Sequence, residues 1–329
     1  MTALRAGVVG LGMMGRHHVR VLRGLDGVDL VGVADPAGDR YRIAHGMSVL
    51  RSVERLIRTG IDVCTVAVPT AFHEEVALTL ADAGVHVLVE KPLAADVAAA
   101  TRVAVAFESA GLVGAVGHIE RFNPALRNMR LRLAGGELGD VYQVATRRQG
   151  PFPDRISDVG VVNDLATHDI DLTAFVTEST YSCVTAHTIR KSGRPYEDLV
   201  AVVGLLDNGA VTCHLVNWLS PMKERVTIVT GSRGTFVADT LTADLTFYAN
   251  AAVSTEWNDI AQFRGVAEGD VVRYAIPKPE PLRVELENFR DAVIGKPDAD
   301  VVTMRHGVAT VVVAEAVLRS AREGRVVVP

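Results

Sequence analysis

The sequence predicts an α/β chain. A doubly wound parallel sheet forms the N-terminal third, and a C-terminal α+β domain with a largely antiparallel open sheet follows. The first prediction rests on Val-rich apolar runs that alternate with amphipathic helical segments up to about residue 120. The second rests on the alternating β-branched segments beyond that point, joined by turn signals such as Asp207-Asn208-Gly209. We therefore expect two domains, 1–120 and 121–329.

Bulk composition excludes several classes of protein. The 329 residues are 48% hydrophobic and 22% charged, which is typical of a globular chain of two ordinary domains. A formal charge of -5 argues against a general nucleic-acid binder. Cys64, Cys183 and Cys213 form no C-x-x-C pair, so neither a disulfide framework nor a thiolate zinc site is expected. With no apolar run of membrane-spanning length and no signal peptide, we expect a cytoplasmic protein without a membrane partner.

A glycine-rich turn joins the first apolar strand to the first helix within "RAGVVGLGMMGRHHVRVL". Gly10, Gly12 and Gly15 complete the pattern G-x-G-x-x-G. The first glycine permits the tight turn, the second lets the backbone approach a pyrophosphate, and the third allows close packing of helix on strand. Met13 and Met14 open the helix, whose N–H groups face the anion. These five residues are therefore predicted to bind a dinucleotide on a Rossmann sheet.

The second strand, "VDLVGVAD", ends in Asp35, 20 residues after Gly15. An acidic residue at this distance binds the adenine ribose hydroxyls, and its charge repels a 2′-phosphate. We therefore expect NAD rather than NADP, although Arg40 is close enough in sequence to soften the preference. A glycine turn in an unrelated α/β protein is the alternative, and the combination of strand, turn, helix, strand and acid argues against it.

Polar residues follow two further strands of the predicted sheet. Pro69 and Thr70 end one strand, and Glu90 and Lys91 end the next. Because cofactors bind beyond the carboxyl ends of parallel strands, we expect these residues at the cofactor, with Lys91 facing the nicotinamide region. His73 follows closely and is grouped with them, although a helix-start or packing role suits it better.

The stretch "VNDLATHDIDL" carries Asp164, His168 and Asp171 at spacings i, i+4 and i+7. On a helix all three side chains would project from one face. They could form a metal site, a solvated helix face or a proton-transfer site. No obvious partner set for a metal accompanies them, so no metal is expected. Histidine titrates near the operating pH and a carboxylate one turn away can orient its ring, so we prefer proton transfer.

Several segments together resemble the Gfo/Idh/MocA family of oxidoreductases. They are G-x-G-x-x-G with His18 three residues after its last glycine, "VAVPTAFHEEVALTLADAGVHVLVEKPLA", "GHIERFNPAL", "DLATHDIDL" and the C-terminal "VVAEAVLRSAREGRVVVP". The resemblance covers nearly the whole chain and implies NAD-dependent hydride transfer. It also implies that the last helix, about 303–323, packs back on the Rossmann domain. Dimers or tetramers are implied as well, and the open sheet face of the second domain offers a natural surface for them.

The family resemblance places Lys91, Asp164 and His168 at catalytic positions. We assign His168 as the acid/base, Lys91 as the cation that polarises the reacting oxygen, and Asp164 as the residue that orients a hydroxyl or one of its partners. Members of the family differ over whether the lysine or the histidine takes the proton, so that choice stays open. Asp171 is either a ligand of a substrate hydroxyl or a structural residue at the helix end.

The loop "GPFPDRISDVGVV" before this helix carries Arg155, and two prolines and a glycine stiffen it. A rigid arginine suits bidentate recognition of phosphate, and a surface ion pair is the equal alternative. Arg147 and Arg148 precede it, and on a strand at least one of them points away from any site. This loop and "GHIERFNPAL" resemble the branch of the family that oxidises the 3-hydroxyl of UDP-N-acetylglucosamine-type sugars. The resemblance places Arg121 and Asn123 near the active site, with Asn123 on the sugar.

Three functions from different classes remain open at this point. The first is an NAD-dependent dehydrogenase of a nucleotide sugar, and the second is the same chemistry on a free sugar, inositol or sugar acid. The third is a non-catalytic protein that senses a sugar or NAD on the same fold. The presence of both Lys91 and His168 argues against the sensor, because a sensor needs no proton-transfer pair. The first function is the one we expect.

Overall fold

The structure, a computed structural model, describes three stretches of the chain, residues 3–153, 159–251 and 268–329. The chain forms two compact units, and each is built from two separate segments of sequence. The first unit comprises Met1–Phe122 and Pro279–Val312, and the second comprises Asn123–Lys278 and Val313–Pro329.

The described strands fall into two sheets, one in each unit. In the first unit they are β1 Leu4–Val9, β2 Val28–Ala34, β3 Val49–Leu50, β4 Val63–Val66, β5 His86–Glu90 and β6 Gly114–Gly117. In the second unit they are β7 Val141–Pro151, β8 Tyr181–Ile189, β9 Leu199–Leu206, β10 Val211–Asn217, β11 Leu219–Gly231, β12 Gly234–Asp239, β13 Asp244–Asn250 and β14 Glu268–Arg273.

The described α-helices are α1 Met13–Leu22, α2 Val53–Ile57, α3 His73–Asp82, α4 Val97–Ser109, α5 Pro124–Ala134, α6 Thr167–Thr177, α7 Pro281–Val293 and α8 Met304–Glu323. Short 3₁₀ turns cover Thr70–Phe72 and Ile119–Phe122, and a π turn covers Val162–Ala166. Among the residues that the structure describes, no helix is long and apolar enough to cross a membrane.

The first unit holds a six-stranded sheet in the order β3-β2-β1-β4-β5-β6, and every pair of neighbours in it runs parallel. The chain order reverses between β1 and β4. Helices cover both faces, because Val19 of α1 and Leu286 of α7 belong to one apolar core and Leu80 of α3 and Phe107 of α4 to the other. The predicted doubly wound parallel sheet is confirmed.

The second unit holds an eight-stranded sheet in the order β14-β13-β12-β11-β7-β10-β9-β8. Only β7 and β10 run parallel among these neighbours; the other pairs are antiparallel. Leu126 of α5 and Leu172 of α6 pack against this sheet in one apolar core. Along β9 buried and exposed residues alternate strictly from Val200 to Leu206, as expected of a sheet with one covered face. The predicted α+β domain with a largely antiparallel open sheet is confirmed.

A buried histidine inside the second unit makes the stability of the fold depend on pH. His214 is hydrogen-bonded through Nδ1 to Thr146 Oγ1 and through Nε2 to Tyr181 OH, each at 2.8 Å. Burial lowers the pKa of His214 from 6.5 to about 4. Between these values the unfolded chain binds a proton that the folded chain excludes, so unfolding becomes easier as pH falls. We expect this group to remove about 3 kcal/mol of unfolding free energy between pH 6.5 and pH 4.

Urea unfolding at pH 4.5 to 7.5 would measure this dependence. His214→Gln retains a donor and an acceptor for the two hydroxyl groups but cannot titrate. Its unfolding free energy should therefore fall less steeply below pH 6.5 than that of the wild type. Equal slopes in the two proteins would contradict a neutral buried imidazole at this position.

Candidate active site

Register aligns the carboxyl ends of the central strands in the first sheet. Val9 of β1 pairs with Val66 of β4, Val66 with Val89 of β5, and Val89 with Val116 of β6. The residues that follow these strands and β2 therefore lie along one edge of the sheet. Glu90 is the last residue of β5, and the residues that follow the strands include the predicted cofactor residues Gly10, Gly12, Met13, Met14, Gly15, Asp35, Pro69, Thr70 and Lys91.

The turn from β1 into the start of α1, here called the glycine loop, contains Gly10, Gly12 and Gly15. The surroundings of these three glycines differ. Gly10 has a φ of +92°, and a Cβ there would lie 2.5 Å from the carbonyl oxygen of Ala67. A Cβ at Gly15 would lie 1.9 Å from the carbonyl oxygen of Gly10, so the helix could not approach the turn. At Gly12 a Cβ would meet no described atom within 4 Å. Protein packing therefore does not require glycine at position 12, and the space beside the uncapped start of α1 fits the pyrophosphate of a dinucleotide.

Asp35 supports the glycine loop from the end of β2. Its Oδ2 accepts a hydrogen bond from the Leu11 N–H at 2.8 Å, and its Oδ1 accepts one from the Ala37 N–H at 2.7 Å. Each carboxylate oxygen has a second lone pair, so the same group can hold the loop and accept ribose hydroxyls. Arg40 is exposed on the segment that follows. The spacing predicted the ribose contact but gave no sign of the bond to Leu11.

A buried histidine–carboxylate pair joins α1 to the end of β5. His18 Nε2 lies 2.7 Å from Glu90 Oε1, and both side chains are buried. Burial opposes ionisation of Glu90, but the hydrogen bond from His18 and the charges of His18 and Lys91 outweigh it and lower the pKa of Glu90. Helix α1, which begins at the glycine loop, and strand β5, which ends at Glu90 just before Lys91, are therefore joined by this hydrogen-bonded pair.

His73 ties two loops of the same edge. It is the first residue of α3 and is buried, with Nδ1 2.8 Å from the carbonyl oxygen of Pro92 and Nε2 3.0 Å from that of Val68. The loop after β4 and the loop after β5 thus meet at one imidazole. Lys91, half-buried, lies between Glu90 and the cis-linked Pro92 in the second of these loops. A cofactor contact for His73 stays a prediction.

The helix that carries the Asp–His cluster in the second unit begins with a π turn. The sequence predicts an α-helix through the whole stretch, but Val162–Ala166 forms the wider π turn and α6 starts only at Thr167. Asp164 therefore lies in the π turn and His168 in the first turn of α6. Such π turns occur frequently at functional sites. Hydrophobic periodicity does not reveal this feature, because periodicity is read over several turns and the π turn spans only five residues.

Burial excludes one of the three interpretations of this cluster, the solvated helix face. Asp164 and Asp171 are buried, as is the intervening Asp169, and His168 is half-buried. The interpretation as a solvated helix face is therefore wrong. In the described part of the chain no group of three or more His, Cys, Asp or Glu side chains could hold a metal ion. Proton transfer stays the preferred role for Asp164 and His168.

The two neighbouring arginines of β7 point to opposite sides, as the strand periodicity predicts. The Arg147 side chain is 55% exposed and pairs with Glu224 at 2.8 Å. The Arg148 side chain is 4% exposed, and its Nε donates to Asp169 Oδ2 at 2.9 Å. Arg148 therefore fixes the helix residue next to His168. Arg155, the predicted anion ligand, lies outside the described residues.

The Asn123 side chain is hydrogen-bonded to other residues of the second unit. It caps α5, because Oδ1 accepts a hydrogen bond from the Ala125 N–H at 3.0 Å, and its Nδ2 donates to the carbonyl oxygen of Thr240 at 3.0 Å. These two bonds explain its burial without a ligand, so its contact with a sugar stays a prediction. Arg121 lies half-buried in the 3₁₀ turn Ile119–Phe122.

Comparison with known proteins identifies the family for both parts of the chain. Residues 4–118 match the NAD-binding Rossmann fold of the Gfo/Idh/MocA oxidoreductases, and residues 130–329 match the C-terminal alpha/beta domain of the same family. The two matches cover most of the chain. The chain therefore belongs to the Gfo/Idh/MocA oxidoreductase family and carries its NAD-binding domain.

Particular relatives act on different substrates. The chain is 35% identical to UDP-N-acetylglucosamine 3-dehydrogenase of Acidithiobacillus ferrooxidans over 182 residues, which are 54% of this chain and 55% of that protein. It is 32% identical to inositol 2-dehydrogenase 2 of Saccharopolyspora erythraea over 219 residues, 63% of this chain and 65% of that protein. The matched stretches thus span less than two thirds of these relatives' own length.

Solved structures match over the whole chain. UDP-N-acetylglucosamine 3-dehydrogenase GnnA of Acidithiobacillus ferrooxidans has a TM-score of 0.84 and 27% identity, with 98% of this chain and 99% of that chain covered. GenD2 from gentamicin A biosynthesis, in complex with NAD, has a TM-score of 0.82 and 27% identity, with 100% of this chain and 97% of that chain covered. Both domains of the chain are therefore of the same fold as these proteins.

Proposed function

We propose that this protein is an NAD-dependent dehydrogenase that oxidises a secondary hydroxyl, the 3-hydroxyl of a UDP-N-acetylglucosamine-type nucleotide sugar. The observation that carries the proposal is the position of Lys91. It follows β5 at the same sheet edge as the glycine loop, so a lysine cation stands on the cofactor side of an NAD-binding sheet. Similarity to UDP-N-acetylglucosamine 3-dehydrogenase supports the choice of substrate.

Each residue is assigned a chemical role from its charge and its position. Bound NAD would supply the hydride acceptor, held by Gly10, Gly12 and the start of α1, with Asp35 on the ribose. The ammonium group of Lys91 stabilises the negative charge that develops on the substrate oxygen. We assign His168 as the acid/base, and Asp164, one turn before it, orients the hydroxyl or the histidine. Whether Lys91 or His168 is the final proton acceptor stays open.

The nucleotide and the sugar would be held by residues that the sequence singles out. We assign Arg155 to the diphosphate, because a guanidinium binds phosphate through two parallel hydrogen bonds. Arg121, Asn123 and Asp171 are assigned to the sugar. A second candidate substrate is a cyclic polyol such as inositol, favoured by the similarity to inositol 2-dehydrogenase 2.

Turnover with a panel of sugars tests the proposal. Purified protein with NAD would be incubated with UDP-N-acetylglucosamine, UDP-N-acetylglucosaminuronate, UDP-glucose, N-acetylglucosamine, glucose or myo-inositol. NADH is followed by absorbance, and a carbonyl trap draws the reaction forward. We expect turnover with the UDP-N-acetyl sugars. Equal turnover of the free sugar, or turnover of inositol alone, would contradict the nucleotide-sugar assignment.

Asp35 should set the preference for NAD over NADP. Replacing it by asparagine removes the charge that repels a 2′-phosphate and weakens the hydrogen bonds to the ribose hydroxyls. Hydrogen bonds to charged groups contribute about 1.5–3 kcal/mol, so we expect KM for NAD to rise by about tenfold or more and the preference over NADP to narrow. The control is Asp39→Asn, since Asp39 likewise accepts backbone N–H groups, of Ile43 and Ala44. Equal shifts in both variants would indicate only a disturbed loop.

We place a homo-oligomer contact on the open face of the second sheet. On that face Val203 is 53% exposed and Val211 is 43% exposed, and Leu205 lies opposite Val211. Contiguous exposed apolar side chains of this kind mark association surfaces. Light scattering should give the mass of a dimer or tetramer, and a monomer at all concentrations would contradict the assignment.

We place the protein in the cytoplasm. Cys64, Cys183 and Cys213 are all free thiols. Free thiols without disulfides fit a reducing compartment. Export of the native protein to an oxidising compartment would contradict this placement, and cell fractionation tests it.

A further inference from the structure

The loop between β8 and β9, residues 190–198, is folded around the buried carboxylate of Asp198. This carboxylate accepts hydrogen bonds from the backbone N–H groups of Lys191 at 2.6 Å and Ser192 at 2.8 Å, and from the Ser192 hydroxyl at 2.8 Å. Burial opposes its ionisation, but these bonds and one from Arg194 outweigh that and lower the pKa of Asp198 to about 2. A permanently charged acceptor therefore holds the loop in shape at neutral pH.

Arg194 connects this loop to the chain before the helix that carries His168. Its guanidinium donates to the carbonyl oxygen of Val159 at 3.2 Å and to Asp198 Oδ1 at 3.1 Å. The same group lies over the rings of Phe152 at 4.5 Å and Trp218 at 4.9 Å. These hydrogen bonds and cation–π contacts together hold the loop against Val159, Phe152 and Trp218.

Glu197, in the same loop, caps the start of the helix. It is 7% exposed, its Oε1 accepts a hydrogen bond from the Val162 N–H at 3.0 Å, and its backbone carbonyl accepts one from the Val161 N–H at 3.0 Å. A Cβ at Gly160 would lie 2.0 Å from Glu197 Oε1, so this glycine makes room for the carboxylate. The first N–H groups of a helix need such acceptors, and the helix dipole favours a negative charge there.

We propose that Glu197 is the positioning residue of the acid/base pair: its carboxylate fixes the π turn and thereby sets the places of Asp164 and His168. The inference rests on the proposed dehydrogenase function. Asp164 lies two residues after the capped Val162, and its own N–H donates to the carbonyl oxygen of Gly160 at 3.1 Å. An uncommon turn persists only where its surroundings determine it. Loss of the cap therefore displaces the proton-transfer groups without touching NAD.

Glu197→Ala and Glu197→Gln form a matched pair for the test. Glutamine keeps an oxygen for the Val162 N–H, whereas alanine removes it. We expect Glu197→Ala to lower kcat on UDP-N-acetylglucosamine by about 10- to 100-fold with KM for NAD unchanged, and Glu197→Gln to stay near the wild type. Gly160→Ala should show the same loss as Glu197→Ala. The double variant, Gly160→Ala with Glu197→Ala, should lose no more kcat than either single variant, because both changes remove the same contact of the Glu197 carboxylate.

A helix cap outside this region provides the control. Asp96 Oδ1 accepts a hydrogen bond from the Ala99 N–H at 2.8 Å at the start of α4, and Asp96→Ala removes that cap. This variant should lose thermal stability as Glu197→Ala does and keep the wild-type kcat. A loss of kcat in Glu197→Ala no larger than that in Asp96→Ala would overturn the inference.

Amide hydrogen exchange gives a reading that does not depend on turnover. In residues 159–170 exchange should be faster in Glu197→Ala than in the wild type, and Glu197→Gln should restore protection. Unchanged exchange in Glu197→Ala overturns the inference whatever the activity. Wild-type protein that turns over no sugar, with exchange accelerated as expected, overturns the proposed function alone.

Discussion

Replacement of Lys91 by methionine is expected to lower kcat on UDP-N-acetylglucosamine by about a thousandfold, while NADH still binds. Methionine retains the length and apolar stem of the side chain and removes only the charge. A preorganised donor or cation at a developing oxyanion contributes about 10²–10³ in rate. The glycine loop and Asp35 remain intact, so the dissociation constant of NADH, measured by fluorescence titration, should change little.

His168→Asn should lose about 10²–10⁴ in kcat for a different reason, the loss of the acid/base. The pH dependence of kcat separates the two roles. If the histidine takes the proton, the limb that rises with pH disappears in His168→Asn and persists in Lys91→Met. If the lysine takes it, the reverse holds.

Lys296→Met is the control for Lys91→Met, since Lys296 is an exposed lysine paired with Asp291 at 3.1 Å. It should retain wild-type kcat. Full activity in Lys91→Met would remove the lysine from the mechanism. NAD binding by a wild-type protein that turns over no sugar would instead favour the sensor.

Replacement of Arg148 by methionine is expected to lower the free energy of unfolding by about 3–5 kcal/mol. The Arg148 and Asp169 side chains are 4% and 2% exposed, so replacing the arginine takes away the positive charge that lies 2.9 Å from the buried Asp169 carboxylate. Asp169→Leu should lower the free energy of unfolding by a similar amount, because it removes the carboxylate that pairs with the buried Arg148 guanidinium. The double variant should recover much of the loss, because an apolar pair replaces the ion pair without an unpaired charge. Urea unfolding of the four proteins gives the coupling energy.

Arg147→Met provides the matched control from the next residue of the same strand. Its ion pair with Glu224 is formed by a side chain that is 55% exposed, so we expect a change of less than about 1 kcal/mol. Equal losses in Arg147→Met and Arg148→Met would contradict the assignment of burial as the cause. Additive losses in Arg148→Met and Asp169→Leu would show that the two side chains do not depend on each other.

Much of the first unit could be predicted from sequence because its signals are local. The glycine spacing, the Val-rich strands and the acid that ends β2 are each contained within one strand–turn–helix segment. Parallel strands then bring their carboxyl ends to one edge by topology alone, so Glu90 and Lys91 could be placed beside the glycine loop without coordinates. The opposite orientations of Arg147 and Arg148 follow from strand periodicity in the same way.

The features that could not be predicted are pairings across long stretches of chain. His18 and Glu90 are 72 residues apart, and Glu197 caps a helix that starts 35 residues before it. Nothing near either residue specifies its partner. The π turn at Val162–Ala166 could not be predicted for a related reason, because the Glu197 carboxylate that we propose to fix it comes from a distant part of the sequence. Asn123 is a different case. The motif predicts a contact with the sugar, but the Asn123 side chain bonds the Ala125 N–H and the Thr240 carbonyl oxygen, and the motif does not reveal these bonds.

In the proposed reaction, hydride leaves carbon 3 of the nucleotide sugar for NAD. Incubation of the protein with NAD and UDP-N-acetylglucosamine deuterated at carbon 3 tests it most directly, with the nicotinamide product analysed by mass spectrometry. We expect one deuterium in the reduced nicotinamide and a slower rate than with the unlabelled sugar. Reduced nicotinamide without deuterium would contradict it and move the oxidation to another carbon.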